Sequence, residues 1–79
     1  MIISRHAKDA MNEHGISESE IIQCIQYGEL DHRQMVDNET RYVKKLSLKD
    51  KTIMVVYVFR NNEERIITTY LFRRRKQWK

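Results

Sequence analysis

The chain has 79 residues and a formal net charge of +4, with 15 Lys and Arg residues against 11 Asp and Glu residues. A chain of this length forms one domain that buries only about 60–65% of the surface exposed when unfolded, so it has little room for a large cofactor and we expect none. Its one cysteine, Cys24, excludes an internal disulfide. The spacing of its three histidines, His6, His14 and His32, matches no known metal site, and we predict no metal ligands.

The start of the chain does not resemble a signal peptide. Residues 1–3 are apolar but lead directly into Ser4, Arg5 and His6, whereas a signal peptide carries an apolar stretch of about 7–15 residues. The longest apolar run, residues 53–59, is far shorter than the roughly 20 residues that a membrane-spanning helix needs. We therefore expect a cytoplasmic protein that does not interact with a membrane.

A first helix is predicted over residues 5–14. Ser4 is a suitable N-cap, because its side chain can accept a hydrogen bond from a backbone N–H of the first turn. Gly15 can end the helix, since glycine adopts a left-handed conformation at little cost. One side of this helix repeats at helical spacing and should face the core; its residues are Ala7, Ala10, Met11 and His14.

A second helix is predicted over about residues 18–27. Ser17 and Glu20 stand just ahead of an apolar-periodic stretch in the Ser-x-x-Glu order of a capping box. Gly28 should end this helix, and its buried side should consist of Ile21, Ile22 and Ile25, with Cys24 at the margin. Because only residues 15–17 separate the two helices, we expect a compact helical pair.

After Gly28 the apolar pattern changes from helical spacing to alternation, which is typical of strands. Four strands are predicted, over about residues 30–36, 40–48, 52–60 and 65–72. The third strand is apolar on both faces and should lie centrally in the sheet. Short loops between successive strands imply antiparallel pairing. The sequence therefore predicts an α+β fold with two N-terminal helices packed on a four-stranded antiparallel sheet, in a single domain over residues 1–72.

The last predicted strand is apolar on both faces, although the helices can cover only one face of the sheet. Strict alternation places Ile67, Thr69 and Leu71 on one face, and Ile66, Thr68, Tyr70 and Phe72 on the other. An uncovered sheet face beside a basic terminus is a suitable surface for RNA. Alternatively, exposed Ile66 and Phe72 could form an apolar patch through which the chain forms a homodimer.

The excess positive charge lies at the end of the chain, in the basic tail over residues 73–79. These seven residues hold five of the 15 basic residues and no acidic residue, so residues 1–72 carry 10 basic against 11 acidic residues. A basic run attracts polyanions through counterion release, and a neighbouring aromatic ring can stack on a base. We predict RNA binding by Arg73, Arg74, Arg75, Lys76 and Trp78; the alternative is a solvated terminus without a partner.

Several side chains would suit cleavage of RNA without a metal. That reaction needs a base for the 2′-hydroxyl proton, an acid for the leaving oxygen and cations for the phosphate. Histidine is a common acid–base group in catalysis, which makes His6 a candidate. Arg41 and Lys44 or Lys45 could bind the phosphate, and Thr68 and Tyr70 offer hydroxyl groups on one face. Each also has a structural interpretation. His6 can be a surface or capping residue, the basic residues can form a solvated strand face, and Thr68 and Tyr70 can simply favour a strand. His32 and Arg33 lie on the weakest strand and are assigned no role.

Two parts of the sequence resemble the family called domain of unknown function 4258. These are Ser4-Arg5-His6-Ala7, followed by Met11, Gly15-Ile16-Ser17 and Glu20, and the closing strand Ile67-Thr68-Thr69-Tyr70. The resemblance implies a RelE/ParE-like fold, a toxin–antitoxin context and an antitoxin that covers the RNA-binding face. It implies site roles for His6, Thr68 and Tyr70. The chain departs from the family at Ala10 and His14, where arginine is common.

The leading hypothesis for function is a small, toxin-like endoribonuclease that works without metal. In it His6 is the base or acid, Arg41 binds the phosphate, and Thr68 and Tyr70 give polar support. The alternative is a module of the same fold that binds RNA or protein without catalysis, which the loss of a basic residue at Ala10 favours. The predicted activity, with His6 as its acid–base group, depends on His6 lying beside Thr68 and Tyr70 on one open surface.

Overall fold

The computed structural model of the chain describes residues 1–73, which form two helices and one sheet. The elements in chain order are β1 (Ile2–Ile3), α1 (Arg5–His14), α2 (Glu18–Tyr27), β2 (Glu29–Val36), β3 (Glu39–Ser47), β4 (Lys51–Arg60) and β5 (Glu63–Arg73). The α+β class and both helix ranges agree with the sequence prediction. Over these residues, neither helix is long and apolar enough to cross a membrane.

The helices begin and end at the residues that the capping patterns indicate. Ser4 Oγ accepts a hydrogen bond of 3.1 Å from the Ala7 backbone N–H. Gly15 ends α1 in the left-handed conformation, with φ of 69°. At α2, Ser17 Oγ accepts from the Glu20 N–H and Glu20 Oε1 accepts from the Ser17 N–H, which completes the capping box. Local chemistry therefore fixes the ends of both helices.

The sheet has five strands in the order β1-β5-β4-β3-β2 and is mixed rather than wholly antiparallel. The predicted four-stranded sheet is wrong in this respect. The missed strand, β1, pairs in parallel with β5 through Ile2 with Arg65 and Ile3 with Ile66. Two residues are too few to show an alternating pattern, so this edge strand has no periodic signal in the sequence. The antiparallel pairing of β2 through β5 was predicted correctly.

Two of the hairpins turn on pairs of residues with positive φ. Asp37 and Asn38 have φ of 51° and 64°, and Asn61 and Asn62 have φ of 54° and 63°. Two successive left-handed residues are typical of the type I′ turn, whose twist matches that of the strands. Because these turns are tight, β3 and β5 begin earlier than predicted. At the other end, β5 reaches Arg73, which pairs with Lys51.

The helices pack on one face of the sheet, here called the helix face. Ala7 of α1, and Ile21 and Cys24 of α2, are fully buried there. They contact a sheet layer that includes Ile53, Val55, Tyr57 and Ile66. The opposite face of β2 through β5 is covered by neither helix and is called the open face.

A β-bulge in β5 reverses the predicted facing of Ile66. The pairing moves from Val56 with Thr68 to Tyr57 with Ile66, so Ile67 is an extra residue without a partner on β4. Ile66 is therefore fully buried on the helix face, not exposed on the open face. The predicted dimer patch of Ile66 and Phe72 is wrong for Ile66, while Phe72 is exposed. Thr68 keeps its predicted place on the open face.

Candidate functional site

A groove of about 310 Å³ runs over the open face and is the candidate site. Its floor is apolar. One wall is formed by β2 and β3 and the other by β5, so the groove spans the whole antiparallel part of the sheet. The floor residues are Val43, Met54 and Val56; the first wall consists of His32, Gln34 and Arg41, and the second of Thr68, Tyr70 and Phe72.

The pairing registers place the two walls opposite each other. Thr68 pairs with Val56, Val56 with Val43, and Val43 with His32, which makes one row across four strands. With neighbouring strands about 4.8 Å apart, the two ends of this row are roughly 14 Å apart along the sheet. Val43 and Val56 are only 4% and 8% exposed although no helix covers them. The longer side chains of the walls therefore shield an apolar floor.

A second β-bulge shapes the first wall. On β2, Leu30 pairs with Lys44 and His32 pairs with Val43, so Asp31 is the extra residue. In a regular strand, consecutive side chains point to opposite faces. The bulge instead brings the side chains of Asp31 and His32 together, and bulges are frequent where a side chain must be redirected beside a functional site.

The His32 ring is held by polar partners at both nitrogens. Nδ1 lies 2.6 Å from Asp31 Oδ2, and Nε2 lies 3.1 Å from Gln34 Nε2. A carboxylate can only accept and an amide nitrogen can only donate. These contacts therefore assign the proton of the neutral ring to Nδ1 and leave the lone pair on Nε2.

Asp31 is also the charged centre of a small network. Its Oδ1 lies 3.5 Å from Lys45 Nζ, on the neighbouring strand. The hydrogen bond from His32, and then the interaction with Lys45, hold the pKa of the Asp31 carboxyl below its usual value near 3.8. Asp31 is thus charged at neutral pH and can orient His32.

Arg41 lies next to this pair and has an unused hydrogen-bond donor. It pairs with Gln34 across β2 and β3. Its Nε is buried and has no hydrogen-bond partner among the described residues. A buried donor without an acceptor costs on the order of 1–3 kcal/mol. Turning the guanidinium toward an anion in the groove would recover that free energy, and Arg41 is therefore suited to bind one.

The second wall offers hydroxyl groups and aromatic rings. Thr68 is buried at the edge of the floor, whereas Tyr70 and Phe72 are 47% and 54% exposed. Thr69, the intervening neighbour of Thr68 and Tyr70, faces the opposite way and is fully buried. Its Oγ1 donates a hydrogen bond of 2.7 Å to the Met54 carbonyl. Thr68 and Tyr70 thus line the groove, whereas Thr69 is structural.

The groove brings together three of the four predicted catalytic residues. Arg41, Thr68 and Tyr70 all line it, but His6 does not. His6 lies exposed in the first turn of α1, and α1 packs on the helix face through Ala7. The predicted meeting of His6 with Thr68 and Tyr70 on one surface is not found, because the helix that carries His6 lies on the other side of the sheet.

Of the predicted RNA-binding residues, Arg73 is the one that the structure describes. It is exposed at the end of β5, directly after Phe72 of the groove. Arg74, Arg75, Lys76 and Trp78 lie outside the described residues. The groove and the start of the basic tail are therefore continuous along the chain.

A larger hollow of about 730 Å³ lies between the ends of the two tight hairpins. Two of its charged groups are paired, since Arg60 donates two hydrogen bonds, of 2.8 and 3.0 Å, to Glu39. Arg41 lines both this hollow and the groove, but only the groove adds a histidine and the Thr68 and Tyr70 hydroxyl groups to it. Among residues 1–73, no three His, Cys, Asp or Glu side chains are grouped to hold a metal ion. The groove is therefore the better candidate site.

The sequence prediction missed Asp31 and His32. The signal that could have found them is the run Asp31-His32-Arg33-Gln34, in which four consecutive polar residues interrupt the alternation of a strand. Such an interruption is compatible with a bulge, which places neighbouring residues on one face. If the same run is interpreted as a weak regular strand, it predicts no contact between the side chains of Asp31 and His32.

Comparison with known proteins identifies the family. The model of the domain of unknown function DUF4258 matches residues 3–71. Neither the curated proteins nor the solved structures include a match to this chain. Because the family model covers nearly all of the fold, from Ile3 in β1 to Leu71 in β5, the chain belongs to the DUF4258 family.

Proposed function

We propose that this protein binds single-stranded RNA in the groove of the open face and cleaves it without a metal ion. The observation that carries the proposal is the convergence of Arg41, Thr68 and Tyr70 with His32 around one apolar floor. A groove of this volume is large enough for a nucleotide. Cleavage by the 2′-hydroxyl group of RNA needs an acid–base group and a phosphate-binding cation, and a histidine and an arginine that can serve in these roles line the groove.

Arg41 is the phosphate-binding residue in this proposal. Its guanidinium can donate two parallel hydrogen bonds to phosphate oxygens, which fixes the position of the phosphate as well as its charge. Because Nε of Arg41 has no hydrogen-bond partner among the described residues, the side chain would gain a hydrogen bond by reorienting toward an entering phosphate. A cation at this place would stabilise the additional negative charge of the transition state.

Tyr70 and Phe72 are the base-binding residues. They stand exposed in one line on β5, two residues apart and on the same face. Unpaired RNA bases stack on such rings, and each stack contributes about 1–3 kcal/mol. Thr68 can hydrogen-bond to a sugar or base beside them. The basic residues from Arg73 onward would attract the RNA backbone.

The wider biological setting is part of the same proposal. A RelE/ParE-like relationship would make the protein a cytoplasmic toxin whose antitoxin covers the open face. The exposed rings of Tyr70 and Phe72 support a partner at this face, because exposed apolar groups next to each other are typical of binding surfaces. A neighbouring gene that encodes a small DNA-binding protein would support this setting.

A second candidate function is RNA binding without cleavage. It is favoured by the position of His6, the one histidine in the family-like opening, which lies outside the groove. In this case the groove would bind RNA through the same residues, but no product would form.

The test is a cleavage assay on labelled single-stranded RNA with the full chain in EDTA. Wild type should yield product, and Arg41→Ala should lower the rate by about a hundredfold or more. The matched control is Arg33→Ala, because Arg33 is exposed on the same hairpin but is not a groove residue. Thermal melts would show that both variants fold.

Binding is measured in parallel with 2′-O-methyl RNA, which cannot be cleaved. The double variant Tyr70→Ala/Phe72→Ala should weaken it by about tenfold or more, whereas Tyr27→Ala, an exposed aromatic of α2, should not. Binding without cleavage would support the second candidate. Absence of binding by wild type at about 50 mM salt would overturn both candidates.

A further inference from the structure

We infer that His32, held by Asp31, is the general base that removes the 2′-hydroxyl proton in the groove. This inference rests on the proposed function and names a catalytic residue for it. His32 is the histidine that lines the groove, and it stands on the same wall as Arg41. The assignment depends on three features of the first wall: the bulge, the orientation of the ring, and the two cations beside it.

The bulge at Asp31 makes the histidine and its carboxylate a unit. Asp31 and His32 are consecutive, so in a regular strand they would lie on opposite faces. The register shift between Leu30 and His32 removes that constraint. The resulting contact of 2.6 Å between Nδ1 and the carboxylate fixes the ring against rotation.

The orientation of the ring leaves the correct nitrogen for a base. The Asp31 carboxylate keeps the proton on Nδ1, and Nε2 therefore carries the lone pair. Gln34 Nε2 lies 3.1 Å from Nε2 and donates to it. A substrate hydroxyl in the place of this amide would donate to His32 Nε2, which is already aligned to accept. Carboxylate–histidine pairs in other enzymes work in the same manner.

Two cations of β3 lie diagonally on either side of His32. His32 pairs with Val43, and Arg41 and Lys45 are the residues two positions away from Val43 in each direction. Diagonal neighbours of this kind are about 7–8 Å apart, within reach of long side chains. Lys45 is paired with Asp31, whereas Nε of Arg41 has no hydrogen-bond partner within residues 1–73. A phosphate bound by Arg41 would therefore lie next to Nε2.

The step that these residues support is an internal transfer of the phosphodiester. His32 Nε2 takes the 2′-hydroxyl proton, the 2′ oxygen forms a bond to phosphorus, and the bond from phosphorus to the 5′ oxygen breaks. The departing 5′ oxygen takes a proton from water, which the open groove admits, and the proton on His32 neutralises the resulting hydroxide. The products are a 2′,3′-cyclic phosphate and a 5′-hydroxyl end, with no net consumption of water.

The test compares His32→Ala with His6→Ala in the EDTA assay. His32→Ala should slow cleavage by about a hundredfold or more while binding 2′-O-methyl RNA as wild type does. His6→Ala should cleave within about twofold of wild type. Added imidazole should restore part of the activity of His32→Ala, because a small base can enter the space of the missing ring. A role in folding alone would not give that rescue.

Each result has a definite meaning. If wild type forms product and His32→Ala forms it at the wild-type rate, the inference is overturned and the proposed function survives, whatever the result for His6→Ala. If wild type gives no product, the proposed function itself fails. Should His32→Ala unfold, His32→Gln takes its place, since glutamine can keep a hydrogen bond to Asp31 without serving as a base. Products with a 3′-phosphate formed directly, without a cyclic intermediate, would also contradict the step.

Discussion

His32 Nδ1 lies 2.6 Å from Asp31 Oδ2 although the two residues are neighbours in one β-strand. The contact exists because β2 carries a bulge at Asp31, which turns two consecutive side chains toward each other. The same deviation from regular pairing puts a carboxylate beside the imidazole that lines the first wall of the groove. The position of the bulge is therefore a determinant of the proposed activity.

The first prediction concerns Asp31 as a positioning residue. Asp31→Ala should lower RNA cleavage by about tenfold or more, because the His32 ring loses the acceptor that fixes its proton and orientation. Binding of 2′-O-methyl RNA should stay within about twofold of wild type. The control is Asp9→Ala, an exposed carboxylate of α1.

A double variant tests whether Asp31 acts through His32. The combination His32→Ala/Asp31→Ala should cleave as slowly as His32→Ala alone, since residues that act as a unit have non-additive effects. Independent, multiplying losses would show that Asp31 contributes in another way, and that result would exclude its role in positioning His32.

Local sequence patterns predicted the helices and the strand count from β2 onward, but not the two bulges. Ser4, Ser17 and Glu20 mark the helix starts through hydrogen bonds within four residues, so the sequence alone contains the information. The bulges at Asp31 and Ile67 depend instead on how a strand pairs with its neighbour. That pairing joins residues far apart in sequence, and alternation within one strand cannot reveal it.

This limit explains which site residues were predicted. Thr68 and Tyr70 lie on the C-terminal side of the Ile67 bulge, where alternation holds, and they face the groove together. Ile66 lies on the other side of the bulge and was assigned to the wrong face. The family-like opening of the sequence favours His6, but no short-range pattern indicates on which face of the sheet its helix packs.

The second prediction uses the adjacent residues Thr68 and Thr69 as a matched pair. Thr69→Val should lower the free energy of unfolding by about 1 kcal/mol, because it removes a buried hydrogen bond to the Met54 carbonyl. Thr68→Val should change stability by less than about 0.5 kcal/mol, since its neighbour across the strand is Val56.

RNA binding should show the opposite pattern for the pair. Thr68→Val should weaken binding of 2′-O-methyl RNA, whereas Thr69→Val should leave it unchanged at a temperature where both variants are folded. Denaturant titration and fluorescence anisotropy provide the two measurements. If both variants lost binding equally, the assignment of the open face as the RNA surface would be contradicted.

The third prediction concerns Gly28 and Gly15, which the fold requires for different reasons. A Cβ at Gly28 would lie 2.5 Å from the Cys24 carbonyl oxygen and 2.7 Å from that of Lys45. Both are backbone atoms, so the end of α2 and strand β3 would have to move apart. Gly28→Ala should therefore lower the free energy of unfolding by about 1–3 kcal/mol or more.

At Gly15 the reason is conformational. Its φ is +69°, and within the described part of the chain an added Cβ would meet no atom of a non-neighbouring residue within 4 Å. Gly15→Ala should lower the free energy of unfolding by about 1–2 kcal/mol, and Gly15→Asn should lower it less, because asparagine tolerates the left-handed region. Gly28→Asn should show no such recovery over Gly28→Ala. A recovery there would contradict the close approach of Gly28 to the two carbonyls.

The fourth prediction concerns Glu20, which ties α2 to the sheet. Its carboxylate accepts from the Ser17 backbone N–H and pairs with Lys51 Nζ at 2.9 Å. The Ser17 hydrogen bond first, and then Lys51, hold the pKa of Glu20 below its usual value near 4.5 against the opposing effect of burial. The charged form therefore stabilises the fold above that usual value, and the contribution is lost as the pH falls through the lowered pKa.

Denaturant titrations of wild type and Glu20→Gln between about pH 6 and pH 3 would measure this contribution. The free energy of unfolding of wild type should exceed that of Glu20→Gln at the upper end, and the difference should shrink as Glu20 is protonated. Lys51→Met removes the ion pair but keeps the capping box. Its free energy of unfolding should therefore still fall toward acid pH, by more than that of Glu20→Gln and by less than that of wild type. A difference between wild type and Glu20→Gln that stays constant over this range would show that Glu20 stabilises α2 by packing rather than by charge.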